Sequence, residues 1–304
     1  MYSNLPACDS VTITPKVVWL IDTNIYVYRA WHTKEPATLD QHGHNIHAVR
    51  GFLRWLYAFL TKQQPLYIAF AFDEAQTQSF RRSIYPTYKA HRPSMPDNLN
   101  YQFKLCREFL AALGFVNYSS NQYEADDIIG TWLTQQASQT TCNIISGDKD
   151  LMQLVRDIDY WWDYDKREPL NQGKIKRTMG VWPKQIPDQL ALAGDEADNI
   201  PGINGIGLGT AAKILNKFTS IEVLLMRLPE LTQLKTLRYT KVLQERISAQ
   251  QEQIRTNKQL TRIYCQVPTV PQDLKRQPID ITKLQVLCEQ IGLSKEQYEM
   301  WQAI

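Results

Sequence analysis

Tyr123-Glu124-Ala125-Asp126-Asp127-Ile128-Ile129-Gly130 sets three carboxylates within four residues, directly ahead of an apolar pair. Read as a helix start, the acids occupy the first turn, where the positive end of the helix dipole favours them. Ile128, Ile129, Trp132 and Leu133 recur at helical spacing and make a stripe that can be buried against a core. The acids then point away from that core. Three like charges so close repel unless a cation neutralises them or one keeps its proton. Acids at a helix start also serve as caps, so this segment alone leaves both readings open. The positions of the other acids decide between them.

Upstream, Val17-Val18-Trp19-Leu20-Ile21 is a continuous apolar run that ends at Asp22, and 66–72 is a second run that ends at Asp73. Cys142-Asn143-Ile144-Ile145 reads as a third, short strand, followed by Ser146-Gly147-Asp148-Lys149-Asp150, and 158–162 reads as a fourth. Continuous apolar runs mark strands buried on both faces. Helical patterns over 46–61 and 99–113 separate them, and strands alternating with helices predict a parallel sheet with helical crossovers. Ligands of such sheets bind outside the carboxyl ends of the strands. Asp22, Asp73, Asp148 and Asp150 all fall there, and the Glu124 helix can start at the same edge. The set is all oxygen, without His or Cys at metal spacing, which selects Mg²⁺ or Mn²⁺ over Zn²⁺. So many carboxylates exceed the needs of one Mg²⁺; two ions roughly 4 Å apart suit phosphoryl displacement.

Two further stretches carry chemistry. Residues 77–96 mix Arg81, Arg82, Lys89 and Arg92 with Phe80, Tyr85 and Tyr88, and no acid lies between Glu74 and Asp97. Cations hold phosphates and aromatics stack on bases, so this insertion, placed after Asp73, reads as a gate over the metal site. From 187 to 217 a helix ends, a turn with Gly202, Gly205, Gly207 and Gly209 follows, and a helix restarts near Thr210. Open backbone N–H groups at a helix N-terminus grip phosphate, which is a helix-hairpin-helix design. Asp195 and Asp198, three apart, share a face and can reach the metal cleft. The His42, His44 and His47 cluster reads as a solvated loop.

Composition agrees. The chain has 304 residues, with 34 Lys and Arg against 31 Asp and Glu. Setting aside the nine acids assigned to the cleft leaves 22 acidic residues and a net of +12, so a basic body surrounds an acidic pit. Five scattered cysteines without a CxxC pair argue against a disulfide framework and fit a reducing cytoplasm. No apolar run approaches the length of about 18 residues that a membrane span requires, and the first 15 residues read as a loose extension.

These motifs resemble the 5′ nucleases of the flap-endonuclease type, and most closely the 5′–3′ exonuclease domain of bacterial DNA polymerase I and its stand-alone relatives. The likeness rests on 20–22 through Arg29-Ala30, Ala71-Phe72-Asp73, Phe80-Arg81 with 88–93, Tyr123 to Asp127, 147–150, and Gly194-Asp195 through Gly207. It implies an α/β fold: a PIN-like parallel-sheet nuclease core, a helical arch insertion and a C-terminal helix-hairpin-helix (H3TH) DNA-binding subdomain. The expected division is an extension over 1–15, a core over 16–180 with the arch at 77–96, the hairpin subdomain over 181–260, and a tail over 261–304 packed on the core. By the resemblance, Asp22, Asp73, Glu124 and Asp126 serve mainly one divalent ion, and Asp127, Asp148, Asp150, Asp195 and Asp198 the other. Lys89 and Arg92 would contact the scissile phosphate, with Arg29 supporting it from below. Arg81, Tyr88, Gly202, Gly205, Gly207, Gly209, Thr210 and Lys213 would bind DNA, with a K⁺ held at the 200–207 hairpin. Thr23 and Asn24 depart from the family's glycine after the first Asp, which should alter local packing but not metal binding.

The expected activity is Mg²⁺-dependent cleavage near 5′ ends of flapped or branched duplex DNA, or of an RNA–DNA hybrid, in replication and repair. The expected form is a monomer, acting alone or beside a separate DNA polymerase. A PIN-type ribonuclease would share the acidic cleft but lack the Gly-rich hairpin and the basic insertion. A non-catalytic branched-DNA binder would keep both and cut nothing.

Overall fold

The computed structural model describes residues 16–34, 36–74, 78–164 and 166–304. The N-terminal extension with Cys8, and Thr77 at the head of the insertion, lie outside them. The apolar run at 17 forms β1 (Val17–Asp22), and Asp22 is its last residue. The chain turns at once into α1 (Thr23–Trp31), then α2 (His47–Gln63) and β2 (Tyr67–Asp73). The insertion holds α3 (Arg81–Ile84); α4 (Asp97–Ala112), β3 (Val116–Ser120), α5 (Ala125–Gln135), β4 (Thr141–Ile145) and β5 (Tyr160–Trp162) follow. The strands run in the order β3-β2-β1-β4-β5, all parallel.

The sequence pattern missed α1 and β3. β3 is an edge strand whose five residues are all half-buried, so its Val-Asn-Tyr-Ser-Ser carries no apolar run to read. α1 follows Asp22 without a loop and buries Tyr26, Val27 and Ala30 among polar neighbours.

Alternation along the strands assigns the two faces. Trp19, Ile21, Ile68, Phe70 and Phe72 pack with α1, α2 and α4. Val18, Leu20, Ala69, Ala71 and Ile144 face α5 and the C-terminal half. The small Ala69 and Ala71 let α5 lie close on the sheet, with Ile128, Ile129 and Trp132 fully buried against it. This doubly wound arrangement reverses direction between β1 and β4, where neighbouring crossovers leave to opposite sides. A crevice opens at such a switch point, so the fold delivers Asp22 and the 146–150 turn to one place.

Beyond the sheet come α6 (Gln172–Met179), α7 (Ile186–Ala193), α8 (Leu208–Phe218), α9 (Ile221–Met226), α10 (Thr240–Ala249) and α11 (Gln251–Thr261). The helix after the Gly-rich turn thus starts at Leu208, with Gly207 as its N-cap, two residues ahead of the predicted start. Gly202 is required by close packing: a Cβ there would sit 2.0 Å from the Ala193 carbonyl oxygen. The chain then returns to the first half. The Arg276 N–H donates to the Leu66 carbonyl, and α12 (Ile281–Gln290) packs on α4, followed by α13 (Lys295–Gln302). Among the described residues the cysteines are free and no helix is long and apolar enough to cross a membrane.

Candidate active site

Each acid is set by a different element. Asp22 ends β1, and its Oδ2 accepts a 2.6 Å bond from the Ser146 hydroxyl, while the Asp148 N–H donates to the same oxygen of Ser146 at 2.9 Å. One buried serine therefore ties the β1 acid to the β4 turn. Asp73 ends β2; its Oδ1 accepts from the Ala125 N–H, and its own N–H donates to the Asn24 side chain. Glu124 is the N-cap of α5. Asp150 begins a short 3₁₀ turn, and its N–H donates to Asp148. Asp150, Asp195 and Asp198 offer carboxylate oxygens that all lie within 4.8 Å of one another.

The electrostatics show what this crowding costs. Burial, opposed by the Ser146 bond and reinforced by Asp73 and Asp148, pushes the Asp22 carboxyl up to about 7. Burial and then Asp148 and Asp22 hold Asp126 well above the carboxylate range. Asp150 is raised strongly by burial and by Asp148, Asp195 and Asp198, and Asp73, Asp148 and Asp195 move the same way. Like charges in a dry cleft resist ionising together. A divalent cation among all-oxygen donors removes that penalty, so the donor set fits a hard ion. Asp148 neighbours both Asp22 and Asp126 on one side and Asp150 on the other, and so links the two groups of acids.

Glu124 behaves differently. Burial works against its charge, but Lys89 and Arg81 outweigh burial and keep its carboxyl below the usual range. Lys89 Nζ lies 2.7 Å from Glu124 and 3.6 Å from Asp198, and Arg92 Nη2 lies 2.7 Å from Asp198. Two cations of the insertion thus reach into the acidic cleft. The insertion is one short helix followed by turns, and the 195–200 segment anchors it. The Lys89 N–H donates to the Asp198 carbonyl, Asn199 Nδ2 to the Thr87 carbonyl, and Arg92 Nε to the Ala197 carbonyl. Lys89 is held at φ +53, a conformation that costs energy for a residue with a Cβ and so needs such anchoring. Beneath lies a chamber of about 470 Å³ lined by Asn24, Tyr28, Asp73, Arg82, Lys89 and Arg92.

Three sequence assignments need correction. Asp127 is fully buried, and its carboxylate is saturated by four donors: both terminal nitrogens of Arg81 at 2.8 and 2.7 Å, the Glu124 N–H and the Tyr264 N–H. No lone-pair direction remains for a metal. It caps α5 and clamps the insertion instead. Arg81 is 3% exposed, spent on that clamp and on the Leu260 carbonyl, and does not meet DNA. Tyr88 is 2% exposed; its hydroxyl sits 2.9 Å from Asp198 and 3.1 Å from Glu124 with one proton to share between them, so it orients acids and offers no face to a base.

Arg29 pairs with Asp163 at 2.6 Å and lies under the cleft beside Gly147, where a Cβ would sit 2.5 Å from its Nη2. In the hairpin, Gly207 and Gly209 have open space where a Cβ would be. Gly205 takes φ +87 beside Arg246, and Lys213 Nζ donates to the Thr236 carbonyl. The histidines stay apart from the cleft: the His47 ring bonds the Trp31 carbonyl and Asn45, and His44 lies 3.5 Å from Asp40. Sequence reasoning missed Ser146, Asn24 and Asp163. Their signal was position alone: Ser146 and Asn24 each stand two residues from an assigned acid, and Asp163 follows β5.

Comparison with known proteins agrees with this fold. Residues 17–180 match the model of the 5′-3′ exonuclease N-terminal resolvase-like domain, and 181–282 that of the 5′-3′ exonuclease C-terminal SAM fold. A 5′-3′ exonuclease of Aquifex aeolicus is 32% identical over 91% of this chain and 93% of its own length. DNA polymerase I of Rhizobium leguminosarum is 34% identical over 83% of this chain, which spans only 25% of that polymerase. In fold, the chain is similar to T5 5′-exonuclease with bound zinc (TM-score 0.65, 16% identity, 95% of this chain and 97% of that one). It is also similar to the catalytic core of Rad2 in complex with DNA substrate (TM-score 0.61, 15% identity, 95% and 92%). By its sequence, across both halves, the chain belongs to the 5′-3′ exonuclease family.

Proposed function

We propose that this family member is a structure-specific nuclease that hydrolyses DNA phosphodiesters near the 5′ ends of flapped or branched duplexes, using two divalent ions, Mg²⁺ with Mn²⁺ as a substitute. The observation that carries the proposal is the meeting of Lys89 and Arg92 with Glu124 and Asp198 inside a cleft of buried acids. Asp22, Asp73, Glu124 and Asp126 would hold one ion, and Asp148, Asp150, Asp195 and Asp198 the other. When bound, such ions activate water and offset charge on a scissile phosphate and its leaving oxygen.

The protein's own groups do the rest. Burial works against the Lys89 charge, but Glu124 and Asp198 outweigh it and hold the ammonium above the ordinary lysine range. It is therefore charged at any working pH and places a fixed cation where negative charge grows on the phosphate. Arg92, half exposed, meets the strand as it enters. Arg29, fixed by Asp163, adds positive charge from below. Tyr88 bridges Glu124 and Asp198 and keeps the two groups of acids in register. The chamber under the insertion admits a single strand more readily than a duplex. The open N-terminus of α8 at Gly207 and Gly209 takes a phosphate of the duplex arm.

The test is single-turnover cleavage of a 5′-labelled flap beside a fully paired duplex of the same sequence. A short product from the flap under Mg²⁺ and none with EDTA is expected. Equal cutting of both substrates would refute the structure specificity.

A further inference from the structure

From the end of the 3₁₀ turn at 228–233 into the first turn of α10, the chain carries no acid from Leu231 to Gln244, while Lys235, Arg238 and Lys241 fall inside that stretch. The facing wall is equally one-sided: no acid lies between Asn199 and Ile221, where Lys213 and Lys217 stand. The two walls enclose a groove of about 660 Å³ with Lys213 on one side, Arg238 and Arg246 on the other, and Leu237, Val242 and Leu243 among its apolar lining. The walls are tied together by Lys213 Nζ to the Thr236 carbonyl and Arg246 Nη1 to the Asn204 carbonyl at 2.7 Å. Both cations keep further N–H donors free for a ligand.

At the rim stands Tyr239, 79% exposed and held at φ +55 as the residue before α10. A bulky side chain in the left-handed region is sterically costly, and an exposed aromatic gains nothing from the core. A duplex backbone is held by cations and backbone N–H groups and has no base face to offer, so neither the ring nor the apolar lining would serve it. A positively charged groove with a displayed aromatic and no carboxylate suits an unpaired nucleotide, its base on the ring and its phosphates on the cations.

We infer that this groove is a single-strand DNA subsite, distinct from the carboxylate cleft, in which an unpaired base stacks on Tyr239 and the flanking phosphates lie against Lys213, Arg238 and Arg246. It shares Gly205 and Thr210 with the Gly-rich hairpin, so the strand it takes continues from the duplex arm held there. The inference rests on the proposed nuclease reading for the identity of that arm.

The test is fluorescence anisotropy with flap substrates whose duplex arm ends blunt or in an unpaired extension of the uncut strand, in EDTA so that nothing is cut. Flap cleavage in Mg²⁺ is followed in parallel and reports the nuclease reading on its own. Wild type should bind the extended substrate at least about fivefold more tightly, the range expected of one stacked base. Tyr239→Ala should abolish that preference and Tyr239→Phe should keep it, with blunt-substrate binding and cleavage unchanged in both. A wild type without the preference, or a Tyr239→Ala variant that retains it, would overturn the subsite. So would equal weakening on both substrates, which would place duplex in the groove.

Discussion

Replacing Asp127 with Ala separates the clamp described here from a metal ligand. The Arg81 guanidinium is 3% exposed and would lose its bidentate carboxylate while staying buried. Removing one partner of a buried pair costs about 3–5 kcal/mol, because the other charge is left without compensation. The same carboxylate accepts from the Glu124 N–H in the capping box of α5, and losing a cap adds about 1 kcal/mol. The total of about 4–6 kcal/mol is a large share of the stability of a typical domain. For a chain of this size it lowers Tm by roughly 6–10 °C. The assay is thermal and urea unfolding in EDTA, beside Mn²⁺ titration by calorimetry below the variant's melting range. The clamp predicts a large drop in Tm with ion stoichiometry unchanged. Arg81→Leu with Asp127→Leu should recover much of the loss, since a packed apolar pair leaves no stranded charge. An Asp127→Ala variant that keeps its Tm but loses an ion would refute the reasoning.

Further outcomes follow from other parts of the site. Lys89→Ala should lower single-turnover cleavage by about 10²–10³-fold with substrate affinity little changed, the loss expected for one fixed charge at the developing anion; a change confined to KM would place Lys89 in binding only. Asp22 ionises more reluctantly folded than unfolded, so its charge destabilises the metal-free protein as pH rises from about 4 toward 7. In EDTA, wild type should therefore lose Tm relative to Asp22→Asn between about pH 4 and 7, and parallel Tm profiles over that range would contradict this. Gly202→Ala should prevent stable folding because its methyl meets the Ala193 carbonyl, as seen by circular dichroism. Gly209→Ala has open space, so its unfolding free energy should hold or rise by about 0.5–1 kcal/mol. Its affinity for duplex should nonetheless fall, because the methyl stands where a phosphate approaches the helix N-terminus; unchanged affinity would remove this contact.

What the sequence revealed and what it hid have physical reasons. Two strands that carry the cleft, β1 and β2, are buried on both faces and so read as unbroken apolar runs, while β4 is interrupted by the half-buried Asn143 and was legible from its Ile144-Ile145 end. β3 has no such run because it lies at the edge. The acids at strand ends were legible because a parallel sheet gathers its carboxyl ends at one rim, whatever the loops between them do. Asp127 was misread because adjacency in sequence is not adjacency on a helix. Asp126 and Asp127 stand about 100° apart around α5, so one faces the cleft and the other the clamp. Arg81 looked like a free cation of a basic loop because its partner is 46 residues away and its other bond reaches Leu260. No local pattern announces such pairings. The same holds for Ser146, whose hydroxyl matters only because β1 and β4 are neighbours.

The measurement that tests the central claim most directly is cleavage of a 5′-labelled flap duplex by wild type and Asp148→Asn, each with Mg²⁺ and with EDTA. Asp148 joins the two groups of acids, and its amide isostere keeps the N–H bonds of the turn. The account predicts a short product from wild type only with Mg²⁺, and loss of at least about 10²-fold in Asp148→Asn despite normal flap binding. Tight binding by wild type with no cut under either Mg²⁺ or Mn²⁺, or full activity in Asp148→Asn, would contradict it.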